Sequence, residues 1–112
     1  MIYPYPCTLY VLQCEDKKWY VGTTSCSANY RVQQHRDGYG SLWTRKHPMV
    51  RVTAQYFVSP ERAQREENAV WTWLAERHGP HNCRGGDVTI SAETVPDYLL
   101  PVRFGGTRIV DW

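Results

Sequence analysis

The stretch CTLYVLQCEDKKWYVGTT, residues 7–24, decides the fold of this chain. It contains two runs of mainly apolar and β-branched residues, Cys7 to Cys14 and Lys18 to Thr23, on either side of the polar triplet Glu15-Asp16-Lys17. Two such runs joined by a short polar segment are typical of a β-hairpin. The sequence therefore predicts two antiparallel strands connected by a three-residue loop.

The length of that loop sets the faces on which two tyrosines lie. With three loop residues, Leu12 pairs with Tyr20 and Tyr10 pairs with Gly22, which makes the tyrosines diagonal neighbours on one face of the sheet. A two-residue loop would shift the register by one and send Tyr20 to the opposite face. A site shared by both phenols therefore requires the three-residue loop or a bulge.

The segments beyond the hairpin predict helices on a small sheet. A short helix is expected from about Ala28 to Arg36, followed by a polar loop over residues 38–48 and a third strand from Val50 to Val58. Ser59-Pro60-Glu61 is a strong helix start, and Gly79-Pro80 is a clear stop. We predict an α+β fold in which helices flank a three-stranded antiparallel sheet.

Glu67 has an unusual position in the predicted long helix. It falls within an apolar stripe, four residues after Ala63 and three before Val70. A carboxylate on the core-facing side of a helix needs a partner. Glu66 lies further round the helix, toward the edge of the stripe, and is the weaker candidate for a functional acid.

Two triplets of the hairpin resemble those that give the GIY-YIG nuclease family its name. They read Leu9-Tyr10-Val11 and Tyr20-Val21-Gly22 here, with leucine in place of the family's first glycine and valine in place of its isoleucines. Both replacements are apolar and compatible with a strand. The resemblance spans residues 7 to 86 and includes Arg31, His35, the run Gly40-Ser41-Leu42-Trp43-Thr44, Glu67 and the ending Asn82-Cys83-Arg84-Gly85-Gly86.

The resemblance implies a divalent-metal-dependent DNA endonuclease of the GIY-YIG type. Glu67 is expected to hold Mg²⁺ or Mn²⁺, since one carboxylate with waters and substrate oxygens suits such ions. Tyr10 is expected to assist deprotonation of the attacking water, and Tyr20 to hold that water or a phosphate oxygen. Arg31 is expected to donate two hydrogen bonds to the scissile phosphate.

Further residues complete the predicted site. His35 is expected to bind a phosphate or carry a proton, and Asn82 to support the site. Each site residue also has a structural alternative. The tyrosines could pack across the strands, Arg31 could be a surface charge, and Glu67 could be an exposed or arginine-paired carboxylate. His35 could be a packing or capping residue, and Asn82 could form a turn. The predicted DNA contacts are Gly22, Arg36, Arg45, Lys46 and Arg84.

The size and charge of the chain fit a small nucleic-acid-binding domain. Its 112 residues predict one domain, with a nuclease-like core over about residues 7–86 and an extension over 87–112. The formal net charge is only +2, but the segment from Arg31 to Arg51 carries five basic residues against the single acid Asp37. Such a segment fits along a phosphate backbone, or forms a solvated loop of mixed charges.

The remaining sequence patterns predict the cellular location of the protein and the molecules that it binds. No stretch has the roughly 18 apolar residues of a membrane span and no signal-peptide pattern is present, so an intracellular protein of the cytoplasm or nucleus is expected. DNA is the expected partner, with a homodimer or a second protein supplying specificity. The spacing of His78, His81 and Cys83 fits no standard zinc site. The competing hypothesis is a non-catalytic nucleic-acid- or protein-binding module that retains the fold.

Overall fold

Four strands and three α-helices form the described parts of the chain, residues 7–25 and 28–86 of the computed structural model. Single 3₁₀ turns over Glu15–Lys17, Pro60–Arg62 and Pro80–Asn82 precede β2, α3 and β4. Within these residues, none of the helices has the length and apolarity needed to cross a membrane. The predicted extension over residues 87–112 lies outside the described residues. The elements are β1 (Cys7–Cys14), β2 (Lys18–Thr24), α1 (Ala28–Arg36), α2 (Leu42–Lys46), β3 (Met49–Val58), α3 (Ala63–His78) and β4 (Cys83–Gly85).

The β1–β2 hairpin has the register that a three-residue loop predicts. Leu12 pairs with Tyr20, and Tyr10 pairs with Gly22. The loop turns through a positive φ at Asp16, a conformation that short polar side chains tolerate better than most. Both tyrosines therefore start from the same face of the sheet.

The sheet has one strand more than the sequence predicts. Its order is β3-β1-β2-β4, in which β1 is antiparallel to β2 and to β3 while β4 is parallel to β2. The α+β class is confirmed, but the sheet is four-stranded and mixed rather than three-stranded and antiparallel. β4 spans only Cys83–Gly85, which is too short to show the alternation by which a strand is recognised.

Alternation along β1 divides the core between the two faces of the sheet. Leu9 and Val11 pack on one face in a buried cluster with Leu74 of α3. Tyr10 packs on the other face in a cluster with Val32 of α1. Helices thus cover both faces, and the face under α1 carries the tyrosines.

Two helix starts differ from the prediction. α2 lies within the predicted loop, where the Ser41 side chain accepts a hydrogen bond from the Thr44 amide in a capping box. α3 starts at Ala63, because Ser59-Pro60 begins a 3₁₀ turn instead and the serine hydroxyl makes no capping bond. The end of α3 before Gly79 is as predicted.

Arg84, which the sequence placed among the DNA contacts, is buried and stabilises the fold instead. Only 1% of its surface is exposed, and Nη1 donates to the carbonyls of His81 and Cys83 at 3.0 and 2.8 Å. The guanidinium also lies 4.1 Å from the centre of the Trp43 ring, a cation–π arrangement. A guanidinium enclosed in this way is not available to a DNA backbone.

Replacing Arg84 by methionine is expected to lower the free energy of unfolding by about 2–4 kcal/mol, because buried carbonyls lose a charged donor. Urea unfolding followed by tryptophan fluorescence measures the loss. Arg36→Met is the matched control, since Arg36 is exposed and its loss should change the unfolding free energy by less than about 0.5 kcal/mol. Equally small losses in both variants would contradict a structural role for Arg84.

Candidate active site

Three rings from β1, β2 and α1 meet on one face of the sheet. Tyr10 Oη lies 2.8 Å from Nε2 of His35. The ring centroids of Tyr20 and His35 are 5.0 Å apart, and those of the two tyrosines are 6.4 Å apart. Tyr10 and His35 are each 1% exposed, whereas Tyr20 is partly exposed. The site is therefore closed around the Tyr10–His35 pair and open at Tyr20.

Two glycines leave the space that these rings occupy. A Cβ atom on Gly22 would lie 2.5 Å from Tyr10 Oη, and one on Gly40 would collide with the His35 ring. A side chain at either position would displace the Tyr10–His35 pair. Within the protein Gly22 is thus a packing residue of the site, and its contact with DNA stays a prediction.

Thr44 fixes which nitrogen of His35 carries the hydrogen. The Thr44 oxygen lies 2.8 Å from His35 Nδ1, 3.0 Å from Ser41 Oγ and 3.2 Å from the Ser41 carbonyl. When its hydroxyl donates to either serine oxygen, the Thr44 oxygen accepts from Nδ1. With the hydrogen on Nδ1, neutral His35 accepts at Nε2 from the Tyr10 hydroxyl. This assignment follows from the hydrogen-bond network, and it gives Tyr10 a proton acceptor already in place.

Burial makes the charged forms of all three rings less favourable than they are in water. Burial, with the charge of Arg31 as a second cause, lowers the pKa of His35 to about 4. Burial is also the main cause that raises the pKa values of Tyr10 and Tyr20; the charge of Glu67 raises both further, while Arg31 lowers both. A neutral His35 can accept a proton, which an imidazolium could not.

The lowered pKa of His35 predicts a loss of stability in acid. The unfolded chain protonates this histidine below about pH 6.5, whereas the folded chain does so only near pH 4. The unfolded state therefore binds more protons in that window, and the free energy of unfolding falls as the pH drops through it. Between pH 7 and pH 5 we expect His35 to contribute about 1–2 kcal/mol of this fall.

Urea unfolding at pH 7 and pH 5 measures that contribution. In His35→Gln the fall between the two pH values should be smaller than in the wild type. The control is Gln33→Ala, since Gln33 is an exposed residue of the same helix that does not titrate, and its variant should keep the wild-type fall. An equal fall in all three proteins would mean that His35 does not stay neutral when the chain folds.

Arg31 is the cation beside the tyrosines. Its Nη1 donates to Gln34 Oε1 at 2.8 Å, and its charge and hydrogen bonding lower the pKa values of Tyr10 and Tyr20 against the effect of burial. Arg31 is itself only partly buried. A guanidinium in this position can bind an anion that enters beside the two phenols.

Glu67 is held near the end of β2 by two donors. Its Oε1 accepts from the Thr23 hydroxyl at 2.8 Å, and its Oε2 accepts from the backbone amide of Gly86. These are the partners that a carboxylate on the helix stripe needs. A carboxylate has lone-pair sites on both oxygens, so it can bind a cation as well as accept hydrogen bonds.

The carboxylate of Glu67 fits one kind of metal site. Across residues 7–25 and 28–86, no three His, Cys, Asp or Glu side chains are placed to hold a metal ion together. A magnesium-type ion suits this donor set, because it keeps several waters and takes one or two carboxylates together with substrate oxygens. The site therefore offers an ion one protein ligand and leaves its other positions to water and substrate.

Asn82 bonds to the start of β2 and to the end of α3. Its Oδ1 accepts from Lys18 Nζ at 2.7 Å, and its Nδ2 donates to the His78 carbonyl at 2.7 Å. Lys18 is the first residue of β2, whereas Thr23, the partner of Glu67, stands near the other end of that strand. Asn82 therefore links the end of α3 to β2, and its support of the site stays a prediction.

The remaining predicted DNA contacts lie on the surface. Arg36, Arg45 and Lys46 are all exposed. Arg45 Nε donates to the carbonyl of Gly38 at 3.2 Å, which holds its guanidinium beside the loop that follows α1. All three cations are open to solvent near the site, and their contact with DNA stays a prediction.

Sequence reasoning missed two residues that support the site. Thr44 contacts Nδ1 of His35. The spacing Ser41-x-x-Thr44 is a capping signal that could have placed Thr44 at a helix start. Thr23 holds Glu67, but it stands three residues after Tyr20, on the opposite face of β2 by simple alternation. Alternation alone therefore argued against including it.

Comparisons with known proteins bear on the whole core. The family model of the GIY-YIG catalytic domain matches residues 6–80. UPF0213 protein YazA of Bacillus subtilis (strain 168) is 34% identical over 59 residues, which are 52% of this chain and 59% of that protein. The chain thus matches less than two thirds of the length of this relative. No solved structure matches the chain significantly.

Proposed function

Because the chain belongs to the GIY-YIG catalytic domain family, we propose that it is a divalent-metal-dependent DNA endonuclease. The observation that carries the proposal is the buried hydrogen-bonded series from Tyr10 through His35 to Thr44. A cation, Arg31, and a carboxylate, Glu67, are close enough to the tyrosines to shift the tyrosine pKa values. Metal-assisted hydrolysis of a phosphodiester uses a proton acceptor for the water, a cation beside the phosphate oxygens and a ligand for the metal.

In the proposed reaction, Tyr10 and His35 take the proton of the attacking water. The water oxygen forms a bond to phosphorus while the bond from phosphorus to the leaving sugar oxygen breaks. The Tyr10 oxygen accepts a proton from the water as its own proton passes to His35 Nε2, 2.8 Å away. The leaving oxygen takes a proton from solvent, and His35 later releases its proton to solvent.

Substrate binding makes His35 a better proton acceptor. In the free protein burial and the Arg31 charge hold its pKa at about 4. A phosphodiester bound to Arg31 brings a negative charge that offsets the second of these causes, so the pKa of His35 rises. The site becomes more basic when a substrate is present.

The other residues act on the phosphate. Arg31 donates hydrogen bonds to the non-bridging oxygens, and Tyr20, at the open side of the site, donates to the same group or to the water. Glu67 would hold the divalent ion, which supplies Lewis-acid stabilisation of the charge that develops on phosphate oxygens. Thr23 and the Gly86 amide keep that carboxylate in place.

Glu67→Gln is expected to lower cleavage of supercoiled plasmid in Mg²⁺ by at least about 10²-fold, because the amide is a poor ligand for a hard cation. The matched control is Glu66→Gln, the neighbouring acid of the same helix, which should cleave as the wild type does. Electron paramagnetic resonance of Mn²⁺ measures metal binding apart from activity. Circular dichroism checks that both variants fold.

Cleavage that persists in Glu67→Gln, or in a chelator, would contradict the metal role of Glu67. DNA binding without cleavage by the wild type under any divalent metal would instead favour the competing function, a non-catalytic binding module that retains the fold.

Thr44→Val is expected to reduce cleavage on the order of 10²-fold, because His35 then no longer has its Nδ1 partner and Tyr10 loses a defined proton acceptor. Thr44→Ser keeps the hydroxyl and should retain most of the activity. The ¹⁵N chemical shifts of the imidazole report the tautomer directly: wild type and Thr44→Ser should show hydrogen on Nδ1, and Thr44→Val a changed ratio. The same shifts in all three proteins would contradict the role of Thr44.

A further inference from the structure

Exposed apolar side chains are next or close in sequence to residues of the site. Tyr30 is 60% exposed, Tyr39 is 78% exposed and Leu42 is 61% exposed. They come from α1, from the loop after it and from the first residue of α2. We call the two tyrosines of this set the aromatic rim. Exposed aromatic rings next to a site are available for contact with another molecule.

The aromatic rim is joined to the site by direct contacts. Gln34 accepts from Arg31 through Oε1 at 2.8 Å and donates from Nε2 to the Tyr30 hydroxyl at 3.4 Å. The Gln34 carbonyl accepts from the Tyr39 amide at 2.8 Å. Tyr39 is also followed directly by Gly40, which lies against the His35 ring. Tyr30 directly precedes Arg31 in the sequence and Tyr39 directly precedes Gly40, so each rim tyrosine adjoins a residue of the site.

The loop that carries Tyr39 is braced. The Asp37 amide donates to the Gln33 carbonyl at 2.9 Å, and the Gly38 amide donates to the His35 carbonyl at 3.2 Å. Arg45 Nε donates to the carbonyl of Gly38 at 3.2 Å. The backbone that carries the Tyr39 ring is therefore fixed before any ligand arrives, which lowers the entropy cost of binding.

The charges beside the rim indicate the chemistry of its partner. Arg36, Arg45 and Lys46 are exposed, and Arg45 lies against the Tyr39 loop. Cations beside exposed aromatic rings suit single-stranded nucleic acid, whose phosphates bind the cations and whose bases stack on the rings. In a duplex the base faces are covered by their neighbours, so a flat ring gains this contact only from an unpaired base.

We propose that Tyr39, supported by Tyr30, stacks on an unpaired base and directs the enzyme to DNA with single-stranded or distorted segments. This inference rests on the proposed function, because the DNA it describes is the substrate of that reaction. Stacking tolerates all four bases, so the selection is by DNA structure and not by sequence.

The test measures binding without cleavage, in a chelator, by fluorescence anisotropy. The probes are a single-stranded oligonucleotide, a blunt duplex of the same sequence and that duplex with a three-base bulge. Tyr39→Ser is expected to bind the single strand and the bulge about tenfold more weakly than the wild type does, and the duplex less than twofold more weakly. Tyr39→Phe keeps the ring face and should bind all three probes as the wild type does.

A matched control comes from the edge strand β3. Phe57 is 74% exposed on β3, so Phe57→Ser removes an aromatic ring of similar exposure from an element outside the aromatic rim. It should leave all three affinities unchanged. A 2-aminopurine in the bulge reports stacking separately: the wild type should change its fluorescence and Tyr39→Ser should not.

The outcomes separate this inference from the proposed function. Equal loss on duplex and single strand, or no loss in Tyr39→Ser, overturns base stacking. If wild type and Tyr39→Ser cut duplex and bulged DNA at the same ratio in Mg²⁺, the inference fails while the nuclease stands. If the single strand is bound through Tyr39 but no DNA is cut with any divalent metal, the nuclease fails and the recognition surface stands.

Discussion

The pairing of Tyr10 with Gly22 is the constraint on which the site depends. A slip of one residue in the hairpin would turn every side chain of β2 to the opposite face, and Tyr20 would leave the site. The partner must also be glycine, because a Cβ atom there would lie 2.5 Å from the Tyr10 hydroxyl oxygen. The three-residue loop and this glycine together let two phenols and an imidazole share a space that a strand side chain would otherwise fill.

Burial of that space lowers the stability of the fold in mild acid but favours the proposed chemistry at neutral pH. Removing His35 from water lowers its pKa to about 4, so the fold keeps a neutral imidazole that unfolded chains would protonate in mild acid. The same neutrality leaves Nε2 free to accept the hydrogen of Tyr10. Thr44 completes the arrangement by accepting from the other ring nitrogen. The charge of Arg31 links this pair to an entering anion, because a bound phosphate reduces the repulsion that keeps His35 neutral.

Local patterns in the sequence predicted most of the frame and part of the site. The hairpin register, α1, β3 and the end of α3 follow from alternation and from start and stop residues, which act over a few positions. Asn82 and Arg84 could not be placed in this way, because their partners depend on long-range packing: Asn82 contacts Lys18, 64 residues away, and Arg84 packs on Trp43. β4 and α2 were missed because three and five residues show little periodicity.

The modest charge of the chain fits recognition by rings as well as by cations. If Arg36, Arg45 and Lys46 neutralise three phosphates, the slope of log K against log salt concentration is only about −3 for duplex DNA and about −2 for a single strand. A net charge of +2 adds little long-range attraction at physiological salt. Affinity for the substrate must then come from contacts close to the site. Stacking on one base contributes about 1–3 kcal/mol, comparable to a strong ionic contact and less sensitive to salt, so a braced tyrosine beside the site compensates for the charges that this small domain lacks.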